Sequence, residues 1–201
     1  MIQARVKKRL GDFQLDSEIA DDKFICLTGK NGSGKTTLLN ILAGILKPDE
    51  GFVRLDSEDV TKTPLDRRGI TLVASDSYIP HLAVEKHLIW GAKARGIEVN
   101  RDRLNKIKES LGIASKGKVK DLSLGMRERV SIATALVSTP KLILIDEAFA
   151  NIDDRERFIA SFKEFTDNSN IDVIFTSQMI EDAKIADHQY RMDSGKSTKL
   201  F

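Results

Sequence analysis

The run Gly29-Lys30-Asn31-Gly32-Ser33-Gly34-Lys35-Thr36 brings glycines, lysines and hydroxyl side chains into one short stretch. Its spacing fits G-x-x-x-x-G-K-[ST], a loop that wraps phosphate groups. Glycines 29, 32 and 34 let the backbone bend and turn N–H groups inward. A helix starting behind the loop adds partial positive charge at its N-terminus. Lys35 can reach the β- and γ-phosphates of a nucleoside triphosphate such as ATP, and the Thr36 hydroxyl can ligate Mg²⁺. Lys30, Asn31, Ser33 and Thr37 complete the set expected around the phosphates. A second chemical pair, Asp146-Glu147, ends the apolar run Leu142-Ile143-Leu144-Ile145. Asp146 would hold Mg²⁺ directly or through water. Glu147 would orient and deprotonate an attacking water, and a positioned base is worth about 10²–10⁴ in rate. Taken alone, two acids at the end of a buried strand are only that; the phosphate loop upstream gives them work to do.

Elements on both sides must hold these residues. Phe24-Ile25-Cys26-Leu27-Thr28 reads as a buried strand leading into the loop, and Thr36–Ala43 as the helix leaving it. Ile2–Val6 and Asp12–Ile19 read as strands around a turn at Leu10-Gly11-Asp12, and Phe52–Asp56 as a half-exposed strand. Ile70–Val73 and Val173–Thr176 are further short strands. Leu142–Ile145 is apolar throughout, as a strand buried on both faces should be. Helical spacing runs from Val84 to about Gly112, from Leu124 to Ser138, from Asp154 to Phe165 and from Ile180 to Ala186. Tyr190–Met192 and Thr198–Phe201 suit a final hairpin. The alternation implies an α/β core of about 1–74 and 139–201, with a helical lobe inserted at about 75–138.

The bulk properties suit one compact domain. The 201 residues are 41% hydrophobic and 31% charged, enough to bury a core. Lys+Arg 32 against Asp+Glu 30 leaves a formal charge of +2. That makes no concentrated basic surface, so no nucleic-acid partner is expected. The single cysteine, Cys26, cannot form an internal disulfide and reads as a core residue. The N-terminus lacks the apolar run of a secretory signal. No stretch is long enough to span a bilayer, so any membrane work needs another subunit for the spanning part.

Between the two chemical motifs lies Leu122-Ser123-Leu124-Gly125-Met126-Arg127-Glu128-Arg129-Val130. Ser123 can cap the helix that follows, and with the Gly125 N–H it makes an anion site. This segment resembles the signature sequence of ABC-type ATPases, L-S-G-G-Q followed by a helix, with Leu124 and Met126 as variants. The order of loop, signature and acidic strand is similar to that family too. Ala150-Asn151-Ile152-Asp153 resembles its D-loop, with Asp153 in the acidic position. Arg67-Arg68-Gly69-Ile70 and Pro80-His81-Leu82-Ala83-Val84 resemble segments of importer-type subunits. The likeness runs from Ile2 to Met192.

The resemblance implies a P-loop NTPase fold: a RecA-like core, an antiparallel β lobe and an inserted α-helical lobe, all one ABC ATP-binding domain over residues 1–201. It also implies a head-to-tail dimer, a homodimer or a heterodimer with a related chain. There ATP is clamped between the phosphate loop of one copy and Ser123 and Gly125 of the other. The chain would be an ATPase on the cytoplasmic face of a membrane, bound to a transmembrane permease near Tyr78-Ile79-Pro80-His81. No regulatory domain is expected after Phe201. The importer-like segment points to uptake of a small anion such as an oxyanion, whereas the Ser-Leu-Gly-Met variant resembles drug or lipid exporters, so direction and cargo stay open. A soluble ABC ATPase, such as an iron–sulfur assembly partner, is the alternative, as is a chain that binds ATP and hardly hydrolyses it. A kinase or small GTPase fits poorly, since no N-K-x-D motif is present.

Three departures from the family pattern bear on rate. Where a glutamine follows the Ile70–Val73 strand in the family, Ser75 is the nearest equivalent here, and its contact to Mg²⁺ would need a bridging water. The switch histidine is replaced by Gln178, which can still donate a hydrogen bond to the γ-phosphate but bears no charge. The adenine-stacking aromatic is replaced by Leu10, with Phe13 as a substitute. A lost charge-assisted hydrogen bond costs roughly 1.5–3 kcal/mol, about one to two decades in rate. Slow hydrolysis is therefore expected, supported by Lys35, Asp146 and Glu147.

Overall fold

The computed structural model of the chain describes residues 1–113 and 116–201. Ten strands follow one another as β1 (Ile2–Leu10), β2 (Phe13–Asp21), β3 (Phe24–Thr28), β4 (Glu50–Leu55), β5 (Glu58–Asp59), β6 (Ile70–Ala74), β7 (Leu142–Asp146), β8 (Asp172–Ser177), β9 (His188–Asp193) and β10 (Lys196–Lys199). The helices are α1 (Lys35–Ala43), α2 (Val84–Ala94), α3 (Arg101–Ser110), α4 (Leu124–Val137) and α5 (Arg155–Asp167). The strands pair in one order, β5-β4-β1-β2-β10-β9-β3-β8-β7-β6. β1 runs antiparallel to both β2 and β4. β3 runs parallel to β8 and β9, and β8 parallel to β7. β2 pairs in parallel with β10 at Asp16 and Lys196, and β10 runs antiparallel to β9.

The residues group into two compact units. One holds Met1–Leu72, Lys141–Asp146 and Asp172–Phe201; the other holds Val73–Pro140 and Glu147–Ile171. The stretch 147–171, expected with the core, thus groups with the helices. The reason is packing across the two stretches: the Arg129 guanidinium lies over the Phe158 ring, the Arg103 guanidinium lies 5.1 Å from the Phe165 ring centre, and Arg103 Nη1 donates to Ser169 Oγ at 3.3 Å. Such aromatic contacts add to the burial of apolar area.

In the first unit β3 is buried at every residue, as a strand flanked by two parallel neighbours requires. Cys26 lies within it, and burial pushes its thiol far above the ordinary range, as befits a core residue. Helix α1 packs Leu38, Leu39, Ile41 and Leu42 into the same core as Ile25 and Leu27. Its far end is closed by Arg68, which is 5% exposed. That guanidinium donates to the carbonyls of Ile41 (3.3 Å), Leu42 (3.0 Å), Thr61 (2.6 Å) and Thr63 (2.8 Å). A cation on the last carbonyls of a helix satisfies groups that have no partner within it and complements the dipole. α1 is thereby fixed at the end opposite the phosphate loop.

The helical stretch expected from Val84 to Gly112 is two helices. Asn100 accepts a bond from the Arg103 N–H at 3.0 Å and starts α3 afresh, as a side-chain cap does. The helix expected at 180–186 is a 3₁₀ helix, Ile180–Ile185. The expected closing hairpin is β9 and β10.

Candidate functional site

In the first unit the strand ends bring the phosphate loop and the acidic strand to one side. Leu27 pairs with Thr176 and Thr28 with Ser177 across β3 and β8, and Ile145 pairs with Phe175 across β7 and β8. The loop after β3, Asp146 at the end of β7 and Gln178 just beyond β8 therefore all lie at the carboxyl ends of parallel strands, where open α/β sheets bind ligands.

Close packing beneath the loop explains two of its glycines. A Cβ on Gly29 (φ +155°) would lie 2.5 Å from the Met192 carbonyl oxygen and 2.8 Å from Ser33 Oγ. One on Gly34 (φ +104°) would lie 2.8 Å from Phe13 Cζ. Both backbones are in conformations that side chains disfavour. The β9–β10 turn supports the loop, with the Gly195 N–H donating to the Ser33 carbonyl at 2.9 Å. Lys35 is buried, and its ammonium donates to the carbonyls of Gly29 (2.8 Å) and Lys30 (3.1 Å). The cation is thus held inside the curve of the loop, on contacts that phosphate oxygens could replace. Among the described residues Ser33 Oγ is buried and has no hydrogen-bond partner. A buried hydroxyl left unpaired marks a place for an acceptor. Lys30, Asn31, Gly32 and Thr36 are exposed and Thr37 is half-buried, so the rim of the loop is open.

Asp146 Oδ1 accepts a hydrogen bond from Thr176 Oγ1 at 2.9 Å. Thr176 was visible in the sequence only as the end of a strand; the pairing of β7 with β8 gives it the task of fixing the Asp146 rotamer. Next to it, Ser177 Oγ donates to buried Asp182 and accepts from the Met179 N–H at 3.0 Å, which shapes the chain around exposed Gln178. Phe13 is half-buried with its ring edge against Gly34, as part of the loop's floor, while Leu10 is 42% exposed at the β1–β2 turn.

The second unit holds Ser75, Ser123, Gly125, Glu147 and Asp153. Ser123 caps α4, its Oγ accepting from the Met126 N–H at 3.3 Å, and both Ser123 and Leu124 are exposed. Gly125 is buried, and a Cβ there would lie 2.3 Å from the Asn151 carbonyl oxygen. The sequence offered Gly125 as an anion donor; its glycine character answers first to this close approach. Asp153 is exposed and its carbonyl accepts from Arg129 Nη2 at 2.6 Å. Glu147 is half-buried with a left-handed backbone, φ +56°, a strained setting of the kind that gathers at functional sites. Ser75 is exposed just past β6. His87, on α2, is 3% exposed. Its Nε2 accepts from the Ile79 N–H at 3.0 Å and its Nδ1 is 2.9 Å from Thr134 Oγ1. Burial holds this imidazole below its usual range.

Comparison with known proteins adds a family. The family model described as ABC transporter matches residues 13–150. The molybdate/tungstate import ATP-binding protein WtpC of Archaeoglobus fulgidus is 37% identical over 100% of this chain and 89% of its own length. The molybdenum import ATP-binding protein ModC of Rhizobium meliloti is 32% identical over 97% of this chain, which spans only 58% of that relative. Among solved structures, an ATP-binding cassette of an ABC transporter in its ADP conformation superposes with a TM-score of 0.82 at 25% identity, covering 98% of this chain and 89% of that one.

Proposed function

The chain belongs to the ABC transporter family, and we propose that it is an ATP-binding subunit that binds and hydrolyses Mg-ATP to drive a membrane transporter. One observation carries this reading: the phosphate loop and Asp146 stand at the carboxyl ends of β3 and β7, the parallel strands on either side of β8, with the Lys35 ammonium held inside the loop. The relatives named as import ATP-binding proteins support uptake, with an oxyanion of the molybdate or tungstate class as cargo. On this reading the single ABC ATP-binding domain covers residues 1–201. It works on the cytoplasmic face with a transmembrane permease that docks near Tyr78–His81. No helix of the described residues is long and apolar enough to cross a membrane, so that span belongs to the permease.

Each residue has a role in the proposed reaction. The N–H groups of residues 29–37, Ser33 Oγ and Lys35 bind and orient the triphosphate. Thr36 and Asp146 would hold Mg²⁺. Among the described residues no three His, Cys, Asp or Glu gather as a metal cage, which suits an ion that takes one or two protein groups and completes its shell with phosphate oxygens and water. Held there, the ion would supply charge neutralisation at the phosphate oxygens. Glu147 accepts the proton of the attacking water, Gln178 donates to the γ-phosphate, and Ser75 acts through a bridging water. A second copy, or a related chain, supplies Ser123, Gly125 and Asp153 to close the site. Turnover is slow, because Gln178 and Ser75 stand where the family has a histidine and a glutamine.

Calorimetry with Mg-ATP tests the reading. The chain should bind with measurable heat, and Lys35→Ala should weaken binding by at least about 100-fold, or ~2.7 kcal/mol. Equal affinity in the two proteins would refute the placement of the triphosphate.

A further inference from the structure

One buried acid has no part in the reaction described. Glu128, on α4, is 1% exposed. Its two carboxylate oxygens grip one residue: Oε1 accepts from Asn151 Nδ2 at 2.7 Å and Oε2 from the Asn151 backbone N–H at 3.2 Å. A carboxylate taken from water without a cation beside it is costly. Burial accordingly pushes the Glu128 carboxyl up, and the two Asn151 donors pull it back. A group kept under such conditions restricts geometry more than it adds stability.

What it restricts is the backbone after Glu147. Asn151 is held at three points, its side-chain amide and N–H by Glu128 and its carbonyl against the Gly125 Cα. Arg129 Nη2 holds the Asp153 carbonyl at 2.6 Å. At the other end of this short segment, the Ala150 N–H donates to the Glu147 carbonyl at 3.2 Å. Residues 147–153 and the first turns of α4 are therefore tied together by side chains that leave Ser123 and Leu124 exposed.

We infer that Glu128 is a positioning residue, whose two-oxygen clamp on Asn151 locks the loop bearing Glu147 and Asp153 to the start of α4, so that the proposed base and the face offered to a second copy keep one fixed geometry. This rests on the ATPase reading above. Ground-state binding of ATP comes from the phosphate loop, whereas Glu128 sets the geometry of the hydrolytic step. Losing it should lower kcat and leave KM nearly unchanged.

The experiment compares wild type, Glu128→Ala, Asn151→Ala and the double variant Glu128→Gln/Asn151→Asp. The double variant reverses donor and acceptor and keeps the pair bonded. Each is checked for folding by thermal melting and for Mg-ATP affinity by calorimetry before turnover is measured. Each single variant should lose at least about fivefold in kcat with KM moving less than about twofold. The reversed pair should recover most of that loss. Hydrogen exchange at the Asn151 amide should speed up in Glu128→Ala, a readout that needs no turnover. Folded single variants with wild-type kcat and unchanged exchange overturn this inference alone. A wild-type chain that binds no Mg-ATP overturns the ATPase reading, and the clamp's proposed purpose with it.

Discussion

The phosphate loop and the signature segment both place a glycine beside a helix start, yet the two regions are built in opposite ways. The loop curls around its own lysine, and among the described residues its buried serine hydroxyl has no hydrogen-bond partner. The signature segment turns Ser123 and Leu124 outward and shuts Gly125 against the Asn151 carbonyl. The first is a concave receptor. The second is a presenting surface whose helix start is capped by Ser123. A surface of that kind makes sense when another molecule brings the ligand to it, which is the physical ground for the proposed pairing with a second chain.

Glycine substitutions give the sharpest break in this comparison. Gly29→Ala forces a Cβ to 2.5 Å from the Met192 carbonyl at a positive φ and should cost about 2–4 kcal/mol of stability while abolishing Mg-ATP binding. Gly125→Ala meets the Asn151 carbonyl at 2.3 Å and should reduce turnover while ATP affinity stays within about threefold. Loss of affinity in both, by calorimetry, would erase the distinction between receptor and presenting surface.

A smaller effect is expected at exposed Gln178, just past β8. Gln178→His restores a group that can bear charge and should raise kcat by roughly tenfold. An unchanged or lower rate would remove Gln178 from contact with the γ-phosphate.

The smallest effect belongs to the second unit alone. His87 accepts from the Ile79 N–H through Nε2, so the neutral ring bears its proton on Nδ1 toward Thr134, whose hydroxyl donates to the Val130 carbonyl at 2.8 Å. The folded ring titrates below its unfolded value of about 6.5. The unfolded chain therefore takes up the proton first. Stability is full above about pH 6.5 and falls as pH drops from there toward the folded value. Melting curves between about pH 7.5 and 5.5 should show this slope in the wild type and a flatter one in His87→Gln. Equal slopes would show that the buried ring does not govern the segment containing Ile79.

How much of this could be read from the residues depends on sequence distance. The places of Lys35 and Thr36 at the start of α1 and of Asp146 at the end of β7 were legible because a short loop and a short apolar run fix them locally. The cap at Ser123 was legible for the same reason. The Asn151 carbonyl against Gly125, the Thr176 bond to Asp146 and the Arg68 closure of α1 were not, since each joins residues far apart in the chain and only strand or helix packing brings them together. The break between α2 and α3 was missed because apolar spacing continues across it, while the decisive signal was one capping asparagine. The grouping of 147–171 with the helices shows in Arg103 and Arg129, whose contacts with the Phe165 and Phe158 rings no periodicity reveals.

Sedimentation velocity of the Glu147→Gln variant tests the central claim most directly. Removing the proposed base should trap ATP without preventing its binding. The variant should sediment as a dimer with saturating Mg-ATP and as a monomer without nucleotide. A monomer under both conditions would contradict an ATP site completed by a second copy.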